Sequence, residues 1–478
     1  MQFVSQAFVV FLPLAFLAYW GAGRVGAGAR AQNLVVIAAS YAFYAAWDVR
    51  LLWLLVAITV IGFVSGLLLE RRSEQAHRKA ILVVTLLLSL GILGFFKYFG
   101  FFLDSLTSLL QGIGLSAPSY ALNILLPLGL SFYTFQMLTY PLDVYRRKMS
   151  ATHDAIAFFA FASFFAQLTA GPIGRAQELL PQYETRRRFD DAQARDGLRQ
   201  ALWGLTKKVL VADNLAPVVD QAWGSYQTMG SIDLFVVAVF FAIQLYADFS
   251  GYSDMAIGIG KLFGLRLPMN FAYPYFSRST AEFWRRWHMS LSFWIRDYVY
   301  IPLGGSRVAT PRRVFNVLVS FLCVGIWHGA NWTFVVWGLL NGLYQVPGIL
   351  LGRKTPRDTV AHGRLLPRAR EAAAMLGTFL LAVLAWVFFR ADSLAQAAGF
   401  LERCVKSPGG GLDPSYLPYL ALCVVLLGVE WLQREQPYTF RQIARVPVPV
   451  RWASYCALLL ALLVLGPSSA SPFVYVQF

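Results

Sequence analysis

Long apolar segments recur along almost the whole chain, and short polar stretches separate them. A helix needs about 20 mostly apolar residues to cross the hydrocarbon core of a bilayer. The pattern predicts an all-α integral membrane protein with about 11–12 transmembrane helices. The predicted segments are 3–20, 32–47, 51–69, 80–103, 122–141, 155–170, 232–249, 314–330, 332–351, 371–389, 417–433 and 452–467.

The polar stretches between these segments indicate an orientation. The stretches 71–79 and 146–148 are basic, whereas 104–121 contains no lysine or arginine. Cytoplasmic loops carry the excess of Lys and Arg, so we expect the basic loops in the cytoplasm and the N-terminus on the outer side. No basic stretch precedes the first segment, which we therefore interpret as an uncleaved span rather than a signal peptide.

The composition supports the membrane class. Of the 478 residues, 57% are hydrophobic and only 14% are charged, which excludes a soluble enzyme, a disordered protein and a secreted disulfide scaffold. Lys+Arg is 41 and Asp+Glu is 25, so the formal net charge is 41 − 25 = +16. The cations lie in short runs between apolar segments, which argues against nucleic acid as a partner. None of the four cysteines stands in a C-x-x-C spacing, so neither zinc nor a disulfide framework is indicated.

Two regions do not fit simple spanning helices. Residues 171–230 mix basic clusters with apolar turns, and residues 266–313 combine eight arginines with many aromatic residues. A dense mixture of arginine and aromatic residues is typical of the headgroup level of a membrane. The second region is either a peripheral amphipathic helix or a re-entrant element buried in protein, and both alternatives place it on the cytoplasmic side.

Two of the five histidines lie where ionisable residues are unusual. His328 lies between two apolar runs, and His288 lies within the arginine-rich region. An ionisable residue at membrane depth indicates function, and histidine can transfer protons near neutral pH. The alternatives are a histidine that packs between helices at position 328 and an unused interfacial histidine at position 288. The remaining three histidines lie in charged loops.

Polar residues beside these histidines offer further candidates. Asn331 lies at a break between apolar segments, where exposed backbone groups could line a polar cavity and polarise a thioester carbonyl. Asp248 and Asp254 are six positions apart, so on a helix they point to different faces. They could form a proton or cation path. The structural alternative is a helix start, with Asp254 paired to a later arginine.

Ten motifs together resemble the membrane-bound O-acyltransferases, in the branch that contains alginate O-acetyltransferase and the D-alanyl transfer protein of teichoic acid synthesis. The resemblance covers essentially the whole chain. The motifs are LPLGLSFYTFQ at 126–136, DVYR at 143–146, AGPI at 170–173, YADFSGYSDMAIG at 246–258, FWRRWHMSLS at 283–292, DY at 297–298, PLGGS at 302–306, WHGANW at 327–332, FFRA at 388–391 and PFVYVQF at 472–478.

The resemblance implies one membrane domain over 1–478, with re-entrant cytoplasmic helices around a central funnel or tunnel. Its parts would be N-terminal helices at 1–150, a catalytic core at 151–351 and C-terminal helices at 352–478. The histidine that matches His328 is expected to be catalytic, and the one that matches His288 is expected to be the second important histidine. Candidate oxyanion or supporting residues are Asn331, Trp327, Asp254 and Ser253.

The resemblance also implies a reaction. Acetyl-CoA is expected to be the donor substrate, with no tightly bound cofactor and no metal. Arginine pairs phosphate through two parallel hydrogen bonds, so the donor-binding candidates are Arg285, Arg286, Arg296 and Arg307. The expected partners are the lipid bilayer, a periplasmic SGNH-hydrolase-like acetyltransferase and the exopolysaccharide machinery for alginate or cellulose. The expected location is the bacterial inner membrane. A transporter or flippase and a scaffold of a secretion complex are the alternatives.

Overall fold

A computed structural model of the chain describes residues 1–24, 28–115, 127–353, 355–407, 411–467 and 473–474. Every regular element in these ranges is helical and none is a strand, so the prediction of an all-α protein is confirmed. Parts of the predicted 104–121 loop and 122–141 span lie outside the described residues. So do Lys354 and most of the 472–478 motif.

Eight helical stretches are long and apolar enough to cross a membrane, judged by length and composition. Nine of the predicted segments correspond to these eight, because 32–47 and 51–69 belong to one continuous stretch. The eight stretches are Gln6–Arg24, Gly28–Arg71, Gln75–Gly112, Ser231–Leu262, Trp332–Leu350, Ala369–Arg390, Pro414–Gln433 and Val448–Leu465.

The three other predicted segments differ for physical reasons. The helix that corresponds to 122–141 has 16 residues, fewer than the about 20 that a span needs, and is buried in protein along almost its whole length. The segment 155–170 breaks at Phe164 into helices of nine and four residues. The helix that corresponds to 314–330 has 19 residues but carries Arg312 and Arg313 in its first turn, which makes it less apolar than a typical span.

The described residues form two compact units. Unit 1 comprises Met1–Ala194 and Ile259–Pro268, and unit 2 comprises Arg195–Gly258 and Met269–Phe478. The predicted division at 150 and 351 stays a prediction. The helices that begin in unit 1 are α1 Gln6–Arg24, α2 Gly28–Asp48, α3 Leu52–Arg71, α4 Gln75–Gly112, α5 Leu130–Tyr145, α6 Ala155–Ser163, α7 Phe165–Leu168, α8 Ala176–Glu184 and α9 Asp191–Thr206.

Unit 1 uses one of its cations inside the fold. Arg78 is only 4% exposed, although it belongs to the predicted basic loop. Its guanidinium donates to the carbonyl oxygens of Val144 at 2.8 Å and Tyr145 at 3.0 Å, and also to the carbonyl of Leu69. The last carbonyls of a helix have no partner within the helix, so Arg78 caps the C-terminal ends of α3 and α5 together.

Unit 2 contains the end of α9 and most of α11, together with all later helices. Unit 2 also has π-helical turns at Lys207–Ala212 and Arg296–Tyr300 and 3-10 turns at Tyr226–Thr228, Pro274–Phe276, Pro414–Tyr416 and Arg441–Arg445. In unit 1 a 3-10 turn at Val49–Leu51 lies between α2 and α3. The helices that follow α9 are α10 Asp213–Gly224, α11 Ser231–Leu262, α12 Thr280–Arg286, α13 Met289–Ile295, α14 Thr310–His328, α15 Trp332–Leu343, α16 Val346–Leu350, α17 Ala369–Arg390, α18 Leu394–Lys406, α19 Leu417–Gln433 and α20 Val448–Leu465.

Glycine allows two helix pairs of unit 2 to pack backbone against backbone. A Cβ atom on Gly325 of α14 would lie 2.3 Å from the carbonyl oxygen of Phe334 on α15. A Cβ atom on Gly204 of α9 would lie 2.4 Å from the carbonyl oxygen of Gly251 on α11. Small residues permit such close helix contacts in membranes. The first pair positions His328, and the second brings polar residues of α9 and α11 together.

The arginine-rich region 266–313 folds into short pieces rather than one amphipathic helix. The helices α12 and α13 have seven residues each, residues 287–288 separate them, and α13 continues directly into the π-helical turn Arg296–Tyr300. Phe283 is 4% exposed, Trp287 is 0% exposed and Trp294 is 8% exposed. These aromatic residues therefore lie in the interior of unit 2, which agrees with a buried element and not with a surface helix.

Candidate active site

His328 is the last residue of α14, and a tight connection to α15 fixes its position. A Cβ atom on Gly329 would lie 2.1 Å from the Phe334 ring, so the connection needs glycine there. Asn331 caps α15, because its Oδ1 accepts the Thr333 N–H at 3.0 Å. Its Nδ2 donates to the carbonyl of Asp392 at 2.8 Å. Both ends of the Asn331 amide thus hold the helix start.

His288 precedes α13 with a left-handed backbone, at φ 41°. Such a conformation is uncommon for residues other than glycine and often occurs at functional sites. Asn270 supports it: its carbonyl oxygen accepts the Met289 N–H at 2.9 Å, and its Oδ1 accepts the Ser290 hydroxyl at 2.6 Å. Asn270 Nδ2 donates to Ser253 Oγ at 3.0 Å, so the Ser253 candidate is part of this support.

The two histidines lie close together in the interior of unit 2. Their ring centroids are 6.4 Å apart, and Trp327 contacts both, at 5.6 Å from His288 and 5.0 Å from His328. His328 is 4% exposed and His288 is 0% exposed. We call the surrounding rings the histidine cluster: His288, His328, Trp327, Phe249, Trp337 and Phe389.

Aromatic burial favours the neutral form of His288, which lies outside the eight candidate spanning helices. Burial lowers the pKa of its imidazole, because an apolar surrounding destabilises the charged ring. At neutral pH the ring therefore presents one N–H donor and one acceptor nitrogen.

Buried indole N–H groups surround the cluster. Trp337 is 4.9 Å from His328 and nearly perpendicular to it, and Trp386 stacks on Trp337 at 5.5 Å. The Nε1 atoms of Trp287, Trp337 and Trp386 have no hydrogen-bond partner within the described ranges. A buried donor without an acceptor costs about 1–3 kcal/mol. The oxygen of a bound acyl group would satisfy such a donor. Sequence reasoning missed Trp337, although it lies on the helix that the WHGANW motif begins.

Asp254 has partners other than the expected arginine. Its carboxylate is 2.7 Å from Lys207 Nζ and accepts from Gln200 Nε2 at 2.7 Å. The close contact of α9 with α11 and the π-helical turn after α9 direct Lys207 and Lys208 toward α11. The sequence feature that could have indicated this ion pair is the Lys207-Lys208 pair between apolar residues in the region 171–230.

An arginine-rich cavity of about 1400 Å³ is lined in part by α12, α13 and α14, the helices next to the two histidines. Of the predicted donor-binding residues, Arg285 and Arg296 line it, whereas Arg286 and Arg307 do not. Arg286 instead forms an ion pair with Glu282 at 2.8 Å. The arginines of the lining are Arg278, Arg285, Arg296, Arg313, Arg353, Arg368 and Arg370, and Glu371 is its one carboxylate among the described residues.

Several of these arginines already have partners. Arg278 is 3.1 Å from Asp358, and its guanidinium lowers the pKa of that exposed carboxyl group. Arg285 donates to the carbonyl of Pro356 at 2.9 Å.

Arg313 was not among the predicted donor-binding residues. It lines the cavity, and its Nε is buried without a hydrogen-bond partner in the described part of the chain. Arg313 and His328 belong to the same helix, 15 residues apart, which corresponds to about 22 Å at 1.5 Å per residue. The sequence feature that could have identified Arg313 is its position in the first turn of the helix that ends at His328.

Two tryptophans connect the cavity with the histidine cluster. Trp284 lines the cavity, and its ring centroid is 5.7 Å from that of Trp337, which contacts His328. The Trp284 Nε1 donates to Asn341 Oδ1 at 3.1 Å, so its position is fixed. One unit therefore joins a large cationic cavity to a buried pair of histidines.

Eight helices in the described ranges that are long and apolar enough to cross a membrane, together with a buried pair of histidines, are typical of a multi-pass membrane enzyme. The model of the membrane-bound O-acyltransferase family matches residues 130–385, and the chain belongs to that family. This confirms the expected family and the prediction of an acyltransferase enzyme.

Three relatives illustrate the range of this similarity. The chain is 40% identical to the "Probable alginate O-acetylase AlgI" of Pseudomonas aeruginosa, over 83% of this chain and 73% of that protein. It is 35% identical to the "Peptidoglycan O-acetyltransferase" of Helicobacter pylori, over 84% of this chain and 79% of that protein. It is 29% identical to the "Teichoic acid D-alanyltransferase" of Streptococcus thermophilus, over 45% of this chain and 55% of that protein.

Proposed function

We propose that this chain transfers an acetyl group from a cytoplasmic donor across the bacterial inner membrane for O-acetylation of an exopolysaccharide. The observation that carries the proposal is the pair of buried histidines 6.4 Å apart in the unit that holds the arginine-rich cavity. Relatives named as alginate and peptidoglycan O-acetyl-transferring enzymes favour acetyl over D-alanyl. Alginate and cellulose are the acceptors we favour.

The cavity is the proposed site of the donor, acetyl-CoA, which binds as a substrate and not as a resident cofactor. Its phosphates require cationic, fork-shaped partners, and seven arginines line this cavity. The arm between the pyrophosphate and the thioester of CoA has about the length of five extended residues, or roughly 17 Å. That length is about 5 Å less than the roughly 22 Å between Arg313 and His328 along α14, and the long Arg313 side chain can account for the difference. Phosphates bound by Arg313 would then bring the acetyl group near the histidine cluster.

His328 is the proposed general base. A ring nitrogen takes the proton of an acceptor hydroxyl, the hydroxyl oxygen bonds to the acetyl carbon, and the carbon–sulfur bond breaks. The departing thiolate then takes the proton from His328. The Trp337 N–H is better placed than the Asn331 amide to polarise the carbonyl, because Asn331 already holds α15. An acyl-histidine intermediate is the alternative route.

The acceptor lies on the outer side in this proposal. The basic loops, which are expected in the cytoplasm, favour a periplasmic N-terminus. A periplasmic acetyltransferase of the SGNH-hydrolase type, working with the exopolysaccharide machinery, would accept the acetyl group and pass it to the polymer.

The test compares wild type, His328→Ala and His362→Ala in nanodiscs with radiolabelled acetyl-CoA and the co-purified periplasmic partner. His362 is an exposed histidine paired with Glu435, so its replacement is the matched control. We expect label on the partner with wild type and His362→Ala only. Equal transfer by His328→Ala would overturn the role of His328. If Asp248 or Asp254 variants lost activity and His328→Ala did not, a transporter or flippase would be the better description.

A further inference from the structure

The carboxylate of Asp248, in the middle of α11, binds the backbone of Val474, 226 positions further along the chain. Its Oδ2 accepts the backbone N–H of Val474 at 2.7 Å. Its Oδ1 lies 2.7 Å from Lys208 Nζ, and Lys208 lies 2.8 Å from Asp213. Asp248 is 0% exposed, Asp213 is 1% exposed and Lys208 is 5% exposed. A buried ionic cluster therefore holds the backbone at residue 474.

The fastened residues lie beside the histidine cluster. The Phe473 ring is 4.9 Å from Tyr252 and 5.9 Å from Phe249, and Phe249 is 4.6 Å from His288. Phe473 is 6% exposed and Val474 is 7% exposed. Phe473 is thus separated from His288 by a single aromatic ring, and Val474 follows it directly.

Stability alone does not explain an ionic cluster at this place. Burying charges costs several kcal/mol per ion, and apolar replacements of similar volume are often as stable. A neutral oxygen could also accept the Val474 N–H. A carboxylate, however, forms a hydrogen bond about twice as strong as a neutral acceptor does, and the ion pair fixes the direction of that carboxylate. The arrangement favours exact placement of the segment over simple burial.

We propose that Asp248 is a positioning residue that holds residues 473 and 474 as a wall of the reaction site. The wall keeps water from the acetyl donor beside the histidine cluster. The proposal rests on the proposed acetyl transfer. Without the wall, a water oxygen would bond to the acetyl carbon, the carbon–sulfur bond would break, and acetate and a free thiol would form. Excluding water prevents this side reaction.

The test measures how the acetyl group is divided between acetate and the partner. Asp248→Asn keeps the shape and an acceptor oxygen but removes the charge. Asp213→Asn is the matched control, because it alters the same Lys208 cluster without touching Val474. With radiolabelled acetyl-CoA, we expect the ratio of acetate to transferred label to rise about tenfold in Asp248→Asn, since a charge-assisted hydrogen bond is replaced by a neutral one. We expect less than about a twofold change in Asp213→Asn, which keeps that bond.

A second variant and a second measurement make the outcome decisive. Phe473→Ala thins the wall without altering the ionic cluster, and it should raise the same ratio even if Asp248→Asn does not fold. In protein whose native cysteines are replaced by serine, Val474→Cys should react faster with a membrane-impermeant maleimide when Asp248→Asn is added.

An unchanged ratio in folded Asp248→Asn would overturn the proposal, and so would an unchanged labelling rate. If wild type releases no CoA at all, the proposed acetyl transfer fails, and the labelling rate alone still shows whether Asp248 holds the segment.

Discussion

Replacing Arg313 with alanine should weaken donor binding without slowing the chemical step. The buried Nε of Arg313 has no hydrogen-bond partner in the described part of the chain, so it is available to a phosphate of the donor. A hydrogen bond to a charged group contributes about 1.5–3 kcal/mol, and each 1.36 kcal/mol is a factor of ten. Arg313→Ala should therefore raise the KM for acetyl-CoA roughly 10–150-fold, with kcat little changed.

The assay is the rate of CoA release in nanodiscs over a range of acetyl-CoA concentrations and at two salt concentrations. Arg312→Ala is the matched control, because Arg312 is exposed, stacks over the Phe315 ring at 5.1 Å and does not line the cavity. Arg313→Lys should recover part of the loss, since it keeps the charge without the planar fork. An unchanged KM in Arg313→Ala, or an equal rise in Arg312→Ala, would refute the reasoning.

Three further predictions concern unit 2. Gly325→Ala should lower the thermal midpoint in nanodiscs by several degrees, because its Cβ atom would overlap α15, whereas Gly428→Ala, with open space around it, should not. Folding lowers the pKa of His288, so the unfolded chain binds more protons than the folded chain below about pH 6.5, and the free energy of unfolding decreases as the pH falls. When the pH is lowered from 7.5 to 5.5, wild type should lose on the order of 1 kcal/mol more stability than His288→Gln, measured by thermal unfolding. Trp337→Phe keeps an aromatic ring but loses the N–H, and its kcat should fall on the order of 10²-fold. The control Trp452→Phe, at an exposed position, should keep the wild-type kcat. A wild-type kcat in Trp337→Phe would contradict the role of the Trp337 donor.

Hydropathy predicted the spanning helices well where each helix faces an apolar surrounding along its length. It did not distinguish α5 from the lipid-facing helices, because a helix buried on all sides has the same apolar run as one that faces lipid. It also joined α6 and α7, since the break at Phe164 depends on backbone angles that apolar composition does not encode.

In the candidate site, too, the sequence predicted some residues, and the contacts between others are visible only in the fold. The motifs indicated His288 and His328, and the fold brings these residues together. The partners of Asp254 are Lys207 and Gln200, about fifty positions away, and they depend on the close approach of α9 and α11. Arginines of the region 266–313 look alike in sequence. Both Arg286 and Arg296 pair with a carboxylate, and only the fold shows that Arg296 lines the cavity whereas Arg286 does not.

The most direct test of the central claim is the rate of CoA release from acetyl-CoA by folded wild type and folded His328→Ala, with the periplasmic partner present. Loss of a positioned acid or base typically costs 10²–10⁴ in rate. The account predicts a loss in that range for His328→Ala, with unchanged thermal stability and unchanged co-purification of the partner. A variant that releases CoA at the wild-type rate would contradict the assignment of the reaction to His328.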